Sequence, residues 1–313
     1  MNKNKTFLII DGNSVAHRAF HALPVLTNKK NQQINAVYGF VLALFRAVGD
    51  FHPDYLAVCF DTKAPTFRHL EFKSYKAQRP ETAAELVPQL EIIQKLLADL
   101  GVAVFAKDGF EADDLIASVI KSARQELHGE MVDFYVLTGD HDSLQLVGQR
   151  VKAFIINRGV KNAVLYDAIK VKEMFGVAPA QIPALKAIAG DSSDNIPGAP
   201  GIGSKGAVEI LEKCGNLKNA LNAAQKNQDN SCLKEMPRFK KIKKILLENK
   251  EKIINFQKLA TMRDDAPLEN VLRTSEFANF PGVRAKEALL DLGLASLAKR
   301  LPQENTCRNG TLF

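Results

Sequence analysis

Hydrophobic positions in the first half of the chain fall into short apolar runs separated by helix-period stretches. Phe7 to Ile10 is one such run, closed by Asp11-Gly12, and it predicts a buried strand. Tyr55 to Phe60 predicts a second strand, again closed by an acid, Asp61. Val102 to Phe105, Phe134 to Leu137 and Val151 to Ile156 read as further strands, with Ala163 to Tyr166 able to pair with the last. Between them, Val37, Phe40, Val41, Leu44, Phe45 and Val48 recur at three- and four-residue spacing and predict a helix over 36–48. Leu86 to Leu100 and Glu111 to Leu127 carry the same signal. After Asp167 the strand signals fade, and helical stretches broken by glycine and proline follow. Alternating strands and helices followed by helices alone predict an α/β domain with a mainly parallel sheet, then a helical module. The junction falls near 176–190, so we divide the chain at 185/186, with a polar tail over 301–313.

Composition changes this picture little. The 313 residues are 46% hydrophobic and 25% charged, ordinary values for a folded protein of one large or two average domains. No apolar run approaches the ~20 residues that cross a bilayer, and the N-terminal run meets Asp11 too early for a signal-peptide core. We therefore expect a cytoplasmic protein. Cys59, Cys214, Cys232 and Cys307 show no C-x-x-C spacing, and we expect reduced thiols.

Charge is more informative. The net charge is +7, and the excess is uneven: Arg238, Lys240, Lys241, Lys243 and Lys244 form one short basic run, and 63–79 is also basic. Such patches suit a polyanion, although solvated helix faces look the same in sequence. The acids cluster differently. Three predicted strands end in aspartate, at Asp11, Asp61 and Asp140, and ligands of open parallel sheets gather beyond the carboxyl ends of strands. Asp142 follows closely. Glu111, Asp113 and Asp114 open a helix, and Asp191 and Asp194 lie in the turn GDSSDN. Singly, each is explained by turn formation or helix capping. Together on one sheet edge they would repel unless a cation bound there. Hard oxygen donors suit magnesium, and the lack of a matching histidine–cysteine set argues against zinc. Two such ions ~3.5–4 Å apart polarise a phosphodiester and activate water, without a protein nucleophile.

The segments FLIIDG, AVCFDTKAPTFRHLEFKSYKAQR, GFEADDLIAS, VLTGDHDSLQL and AIAGDSSDNIPGAPGIGSKGA occur in this order. In them the chain resembles, from about Phe7 to about Arg263, the 5′-nuclease domain of bacterial DNA polymerase I and, with it, the flap endonuclease family. The resemblance implies a PIN/flap-endonuclease-like fold with a helical arch over 62–92 and a C-terminal helix-hairpin-helix module. It implies a first metal cluster of Asp11, Asp61, Glu111 and Asp113 and a second of Asp140, Asp142 and Asp194, with Asp114 and Asp191 supporting them directly or through water. The ions implied are two or more Mg²⁺, replaceable by Mn²⁺. Within the arch, Arg68, Lys76 and Arg79 become candidates for gripping the scissile phosphate and Tyr75 for stacking on a base. Arg18 matches a basic position near the active site. His141 departs from the family, whose close members carry lysine between the two aspartates.

The glycine loop from Gly198 to Gly203 precedes a helix beginning near Lys205, and amides at a helix start bind phosphate without reading sequence. The resemblance makes Ile202, Gly203, Ser204 and Lys205 duplex-backbone contacts, with a site for a monovalent cation such as K⁺. The formal G-x-G-x-x-G of Gly201, Gly203 and Gly206 follows prolines rather than a strand, so it is no dinucleotide fingerprint. His17 and His21 have zinc-pair spacing but lack the catalytic glutamate of that motif.

The function expected is a structure-selective 5′–3′ exonuclease and 5′-flap endonuclease acting in replication and repair on flaps, nicks, 5′ ends and RNA-primer hybrids. Because no polymerase domain follows in the sequence, it is expected to be freestanding, monomeric and to work beside a separate DNA polymerase in the bacterial cytoplasm. The alternatives are a PIN-type ribonuclease and a catalytically inactive binder of DNA structures.

Overall fold

A computed structural model describes residues 4–127, 130–156, 163–225, 232–234 and 236–302. The polar tail from 303 onward, with Cys307, lies outside the described residues. The α/β portion runs β1 (Lys5–Asp11), α1 (Gly12–Ala22), α2 (Asn35–Phe51), β2 (Tyr55–Phe60), α3 (Phe67–Glu71), α4 (Val87–Asp99) and β3 (Ala103–Ala106). It continues with α5 (Ala112–Glu126), β4 (Val132–Thr138), β5 (Val151–Ile156), β6 (Ala163–Tyr166), α6 (Ala168–Phe175) and α7 (Ile182–Ala189). Helices α8 (Ser204–Cys214), α9 (Leu217–Gln225), α10 (Phe239–Glu248) and α11 (Lys250–Ala260) follow. The described chain ends with α12 (Val271–Ser275), α13 (Gly282–Asp291) and α14 (Ala295–Ala298).

The six strands form one sheet in the order β3-β2-β1-β4-β5-β6. All neighbours are parallel except β5 and β6, which are antiparallel. β1 is central, and its run of apolar residues has a direct cause: both faces are covered. Leu8 and Ile10 face a core built with α2, α4, α13 and α14, whereas Phe7 and Ile9 face a core built with α5 and α12. A third core joins Ala153 and Ile155 of β5 to α7, α8, α9 and α11. The helical module thus packs on the β5–β6 side of the sheet.

The predicted strands are all present. Helix α1 has no counterpart in the sequence reading, because its inward residues, Val15, Ala16 and Ala19, are too few and too small to give a strong periodic signal. It begins on Gly12, where a Cβ would stand 2.4 Å from the Phe60 ring; only glycine lets the helix start this close to β2. The helices after 186 are not one unit, since Ala285 and Leu289 of α13 return to the core of the α/β portion. The segment 62–92 holds the five-residue α3, a series of turns over 72–79 and the start of α4, whose Ile93, Leu96 and Leu97 are core.

The expectation of reduced thiols is corrected for one pair. Cys214, at the end of α8, and Cys232, in the turn after α9, form a disulfide. Their separation of 18 residues carries no motif, and the fold of the two helices brings them together. Cys59 is free and buried.

Candidate active site

Strands β2, β1 and β4 are adjacent and parallel, so the acids at their carboxyl ends converge. Asp11, Asp61, Glu111, Asp113 and Asp140 line one cleft of about 1160 Å³, with His17 and Arg18 of α1 on one wall and Lys76 and Arg79 on another. Each acid is held by local structure. Asp11 is the N-cap of α1, accepting from the Ser14 amide at 2.9 Å, and its other oxygen accepts from the Thr138 hydroxyl at 2.8 Å. Asp61 accepts from the Ala112 amide at 2.7 Å and so caps α5 from another strand. The Ser143 hydroxyl donates to Asp113 at 2.9 Å. Asp140 caps a 3-10 turn over His141–Leu146 and accepts from the Asp142 amide at 2.9 Å. The capping duties that explain these acids singly are therefore real, and they also fix the carboxylates in place.

Asp142, Asp191 and Asp194 form a second group, each offering an oxygen within 4.8 Å of the others. Lys186 of α7 donates to both Asp142 and Asp191. Arg79 pairs with Asp194 at 2.9 Å, and Lys76 with Glu111 at 2.8 Å. The segment bearing these two cations is clasped to the GDSSDN turn: the Lys76 amide donates to the Asp194 carbonyl at 3.2 Å, and the Asn195 side chain donates to the Ser74 carbonyl at 2.7 Å. Lys76 and Asn195 both take left-handed backbone, with φ of +53° and +57°, a strain commonly stored at functional sites.

The electrostatics are those of crowded carboxylates. Burial pushes Asp11 up to about 7, with Asp61 and Asp140 adding repulsion against the opposing hydrogen bonds from Ser14 and Thr138. Burial likewise pushes Asp142 up to about 7, helped by Asp140 and opposed by Lys186. Asp113 rises well above the carboxylate range through burial and then Asp11, Asp140 and Asp142. Asp61, whose edge stays open to solvent, is raised by the dehydrated wall around it and then by Glu111. Asp191 goes the other way: burial opposes its charge, but Lys186 and Ser193 outweigh it and hold it below the usual range. A site that raises several of its own carboxylates is one where added positive charge is stabilising. The donors are carboxylate oxygens, which fits hard divalent cations and not a thiolate–imidazole metal.

Three expected DNA contacts stand elsewhere. Arg68 is 3% exposed and makes a two-pronged pair with Asp114, 2.8 Å on each prong, while also donating to the Leu259 and Thr261 carbonyls. It has no face left for a phosphate, and Asp114, fully buried beneath the cleft, supports the site rather than lining it. Tyr75 is 4% exposed, its hydroxyl donating to Glu111 at 3.2 Å, so its ring is unavailable to a splayed base. Ile202 is buried in the helical core and its amide already donates to Ala199. Gly203, Ser204 and Lys205 remain exposed at the start of α8. Arg18 donates to the Gly139 carbonyl, and Gly139 has no room for a Cβ beside that side chain. His141 packs against the rings of Tyr166 and Phe175, and burial lowers its pKa.

Residues missed from the sequence are those that hold the acids. Lys186 sits five positions before Asp191 with no local signal. Thr138 and Ser143 flank Asp140 and Asp142, and Ser14 follows Asp11 in the spacing of a helix cap, the one signal that could have been read.

The family model for the N-terminal resolvase-like domain of 5′-3′ exonucleases matches residues 6–176, and that for their C-terminal SAM fold matches residues 177–281. DNA polymerase I of Bacillus subtilis is 35% identical over 305 residues, 97% of this chain and 33% of that protein. DNA polymerase I of Geobacillus stearothermophilus is 38% identical over 270 residues, 86% of this chain and 29% of that protein. The chain thus spans about a third of the length of these relatives. Among solved structures, T5 5′-exonuclease with bound zinc ions superposes with a TM-score of 0.64 at 22% identity, covering 92% of this chain and 99% of that one. The catalytic core of Rad2 with DNA superposes at 0.52 and 17% identity, covering 93% of each chain. These likenesses establish the fold, and the two matched domains cover the sheet, the acid-lined cleft and the glycine hairpin in sequence order. The chain belongs to the 5′-3′ exonuclease family.

Proposed function

We propose that the acid-lined cleft hydrolyses phosphodiesters of DNA at 5′ structures such as flaps, nicks and 5′ ends. The observation that carries this reading is the convergence of Asp11, Asp61, Glu111, Asp113 and Asp140 from three parallel strand ends and one helix start on a single cleft beside Lys76 and Arg79. Two ions are assigned, one to Asp11, Asp61, Glu111 and Asp113, the other to Asp140, Asp142 and Asp194 with Asp191 in support. Mg²⁺ suits the donors, with Mn²⁺ as substitute. When bound, such ions supply neutralisation of a reacting phosphodiester and a water of lowered pKa.

The chain's own residues do the positioning. Thr138, Ser14 and Ser143 fix the carboxylate rotamers of Asp11 and Asp113. Lys76 and Arg79, paired to Glu111 and Asp194 at the cleft wall, are placed to exchange those carboxylates for phosphate oxygens. We divide the labour between an α/β portion, to about residue 185 together with the α13 and α14 that return to its core, which carries the chemistry, and the helices α8 to α11 of the 186–300 stretch, which dock the duplex. Gly203, Ser204 and Lys205 hold its backbone, and K⁺ is the cation assigned to the hairpin. Backbone contacts position a duplex without reading its sequence, so selectivity is for structure. The setting we assign is a bacterial cytoplasm, with a monomeric enzyme acting on flaps and RNA-primer hybrids beside a separate DNA polymerase.

The test is digestion of a 5′-labelled DNA flap across a Mg²⁺ titration, with single-stranded RNA in parallel. Metal-dependent release of the flap near its junction is expected. Preferential cutting of the RNA would favour a PIN-type ribonuclease, and saturated binding without cutting would favour a structure-binding protein.

A further inference from the structure

The two carboxylate groups are held by different kinds of donor. The Ser14 and Ala112 amides and the Thr138 and Ser143 hydroxyls, all neutral, hold Asp11, Asp61 and Asp113. Asp142, Asp191 and Asp194 meet full positive charges, from Lys186 and Arg79. The Arg79 side chain is 45% exposed, whereas that of Lys186 is 17% exposed and rises from α7, whose Ala184, Ala187 and Ile188 are core. Lys186 is tied most firmly to Asp191. One Asp191 oxygen accepts from the Ser193 amide and hydroxyl, at 2.8 and 2.6 Å, and the other from Lys186. The Asp191 amide and carbonyl also exchange hydrogen bonds with those of Ile196, each at 2.8 Å. Asp142 is shared instead. Its Oδ1 accepts from Lys186, yet with Glu111, Asp113, Asp140 and Asp194 it lines a recess of about 10 Å³, of which Lys186 is not a wall. That is room for about one water-sized sphere.

A neutral donor orients a carboxylate without opposing a second cation. An ammonium orients it and also offsets its charge, and like charges this close repel. We propose that Lys186 is the resident counter-cation of the second carboxylate group and competes with a divalent ion for the charge of Asp142. Asp191 then acts through Lys186, as the anchor that keeps the ammonium beside Asp142. Lys186 is a positioning residue in this role, not a ligand. The consequence is unequal loading: the group of Asp11, Asp61, Glu111 and Asp113 fills first, and that of Asp142 fills at higher metal concentration. The proposal deepens the two-ion reading and rests on it.

The experiment titrates Mn²⁺ calorimetrically into the DNA-free protein as wild type, Lys186→Met, Lys186→Gln and Lys186→Arg, each first melted in chelator to establish that it is folded. The wild type is expected to take one ion tightly and a second weakly. Both neutral variants tighten the weak step about 10–100-fold, the factor that a hydrogen bond between charged groups represents. Lys186→Arg keeps the wild-type weak step, because it keeps the charge. The sign is decisive, since loss of a merely supporting hydrogen bond weakens metal binding instead. A weak step that is unchanged or weaker in a folded neutral variant overturns the competition, even if the wild type binds two ions and cuts the flap. So does an arginine variant that tightens as the neutral ones do, since charge would then not be the cause. Two equal steps in the wild type overturn it without any variant. A wild type that takes up no Mn²⁺ overturns the two-ion reading and the competition together.

Discussion

Arg68 and Asp114 face each other as a fully enclosed two-pronged ion pair that ties α3 to the first turn of α5. Burial works against the Arg68 charge, but the Asp114 hydrogen bonds and charge more than offset it. The same carboxylate accepts from the Arg263 amide, and Arg68 donates to two carbonyls at the end of α11, so three separate parts of the chain meet at this pair.

Removing one partner would leave the other charged and buried. Asp114→Ala is expected to destabilise the fold by about 3–5 kcal/mol, the usual cost of breaking a buried pair from one side. Arg68→Ala should cost a similar amount while leaving the salt slope of DNA binding unchanged. Urea unfolding measures the first and a salt titration the second; a reduced slope would return Arg68 to the DNA interface.

The raised carboxylates predict how stability changes with pH. Burial pushes Asp11 and Asp142 up to about 7 in the folded state against ~4 when unfolded, and it raises Asp113 in the same direction. Between those values the folded protein holds more protons than the unfolded chain, so stability falls as pH rises from about 4 through 7. Asp191, lowered instead, contributes stability that is lost only in acid below about 4, outside this window. Chelator-treated protein is expected to melt several degrees lower at pH 8 than at pH 5. Millimolar Mg²⁺ should remove most of the difference, because binding to the ionised carboxylates stabilises the folded state. Calorimetric melts across this range check it, and a flat profile would contradict the crowding.

Ser143 and Thr138 fix two of the assigned metal carboxylates from behind. Loss of such supporting hydrogen bonds commonly weakens metal binding about 10–100-fold. Ser143→Ala is expected to lower Mn²⁺ affinity within that range, read by isothermal titration in the absence of DNA. Thr138→Val should cost more, because its hydroxyl also accepts from the Asp140 amide at 3.0 Å. Unchanged affinity in both would remove Asp11 and Asp113 from the ligand set.

The disulfide predicts a reductant-sensitive helical portion. A closed loop spanning 18 residues is worth about 3 kcal/mol by loop entropy. Cys232→Ser is expected to unfold at lower urea than the oxidised wild type and to match the wild type in reductant. Identical midpoints with and without reductant would show that the bond does not form in solution.

The strand runs, the helix periods and the acids at strand ends were legible because each is a local pattern: apolar continuity marks a strand covered on both faces, and an acid after it marks the turn. So was the fold class, through blocks whose order is itself sequence information, and so were the acids that the fold gathers on one cleft, Asp11, Asp61, Glu111, Asp113 and Asp140. Helix α1 was not, since small inward residues give no strong period. Tyr75 and Arg68 were assigned to the DNA through the arch that the resemblance implies, yet long-range pairing with Glu111 and Asp114 draws both inside.

Residue order alone determined which side chains could carry the chemistry and in what local setting. Only the tertiary structure decided that β1 lies between β2 and β4, that Lys186 reaches two aspartates, that Cys214 meets Cys232 and that α10 flanks the hairpin. The reason is physical: periodicity and capping are fixed by neighbours within a few residues, whereas the burial of a charge depends on a counter-charge that the chain supplies from far away.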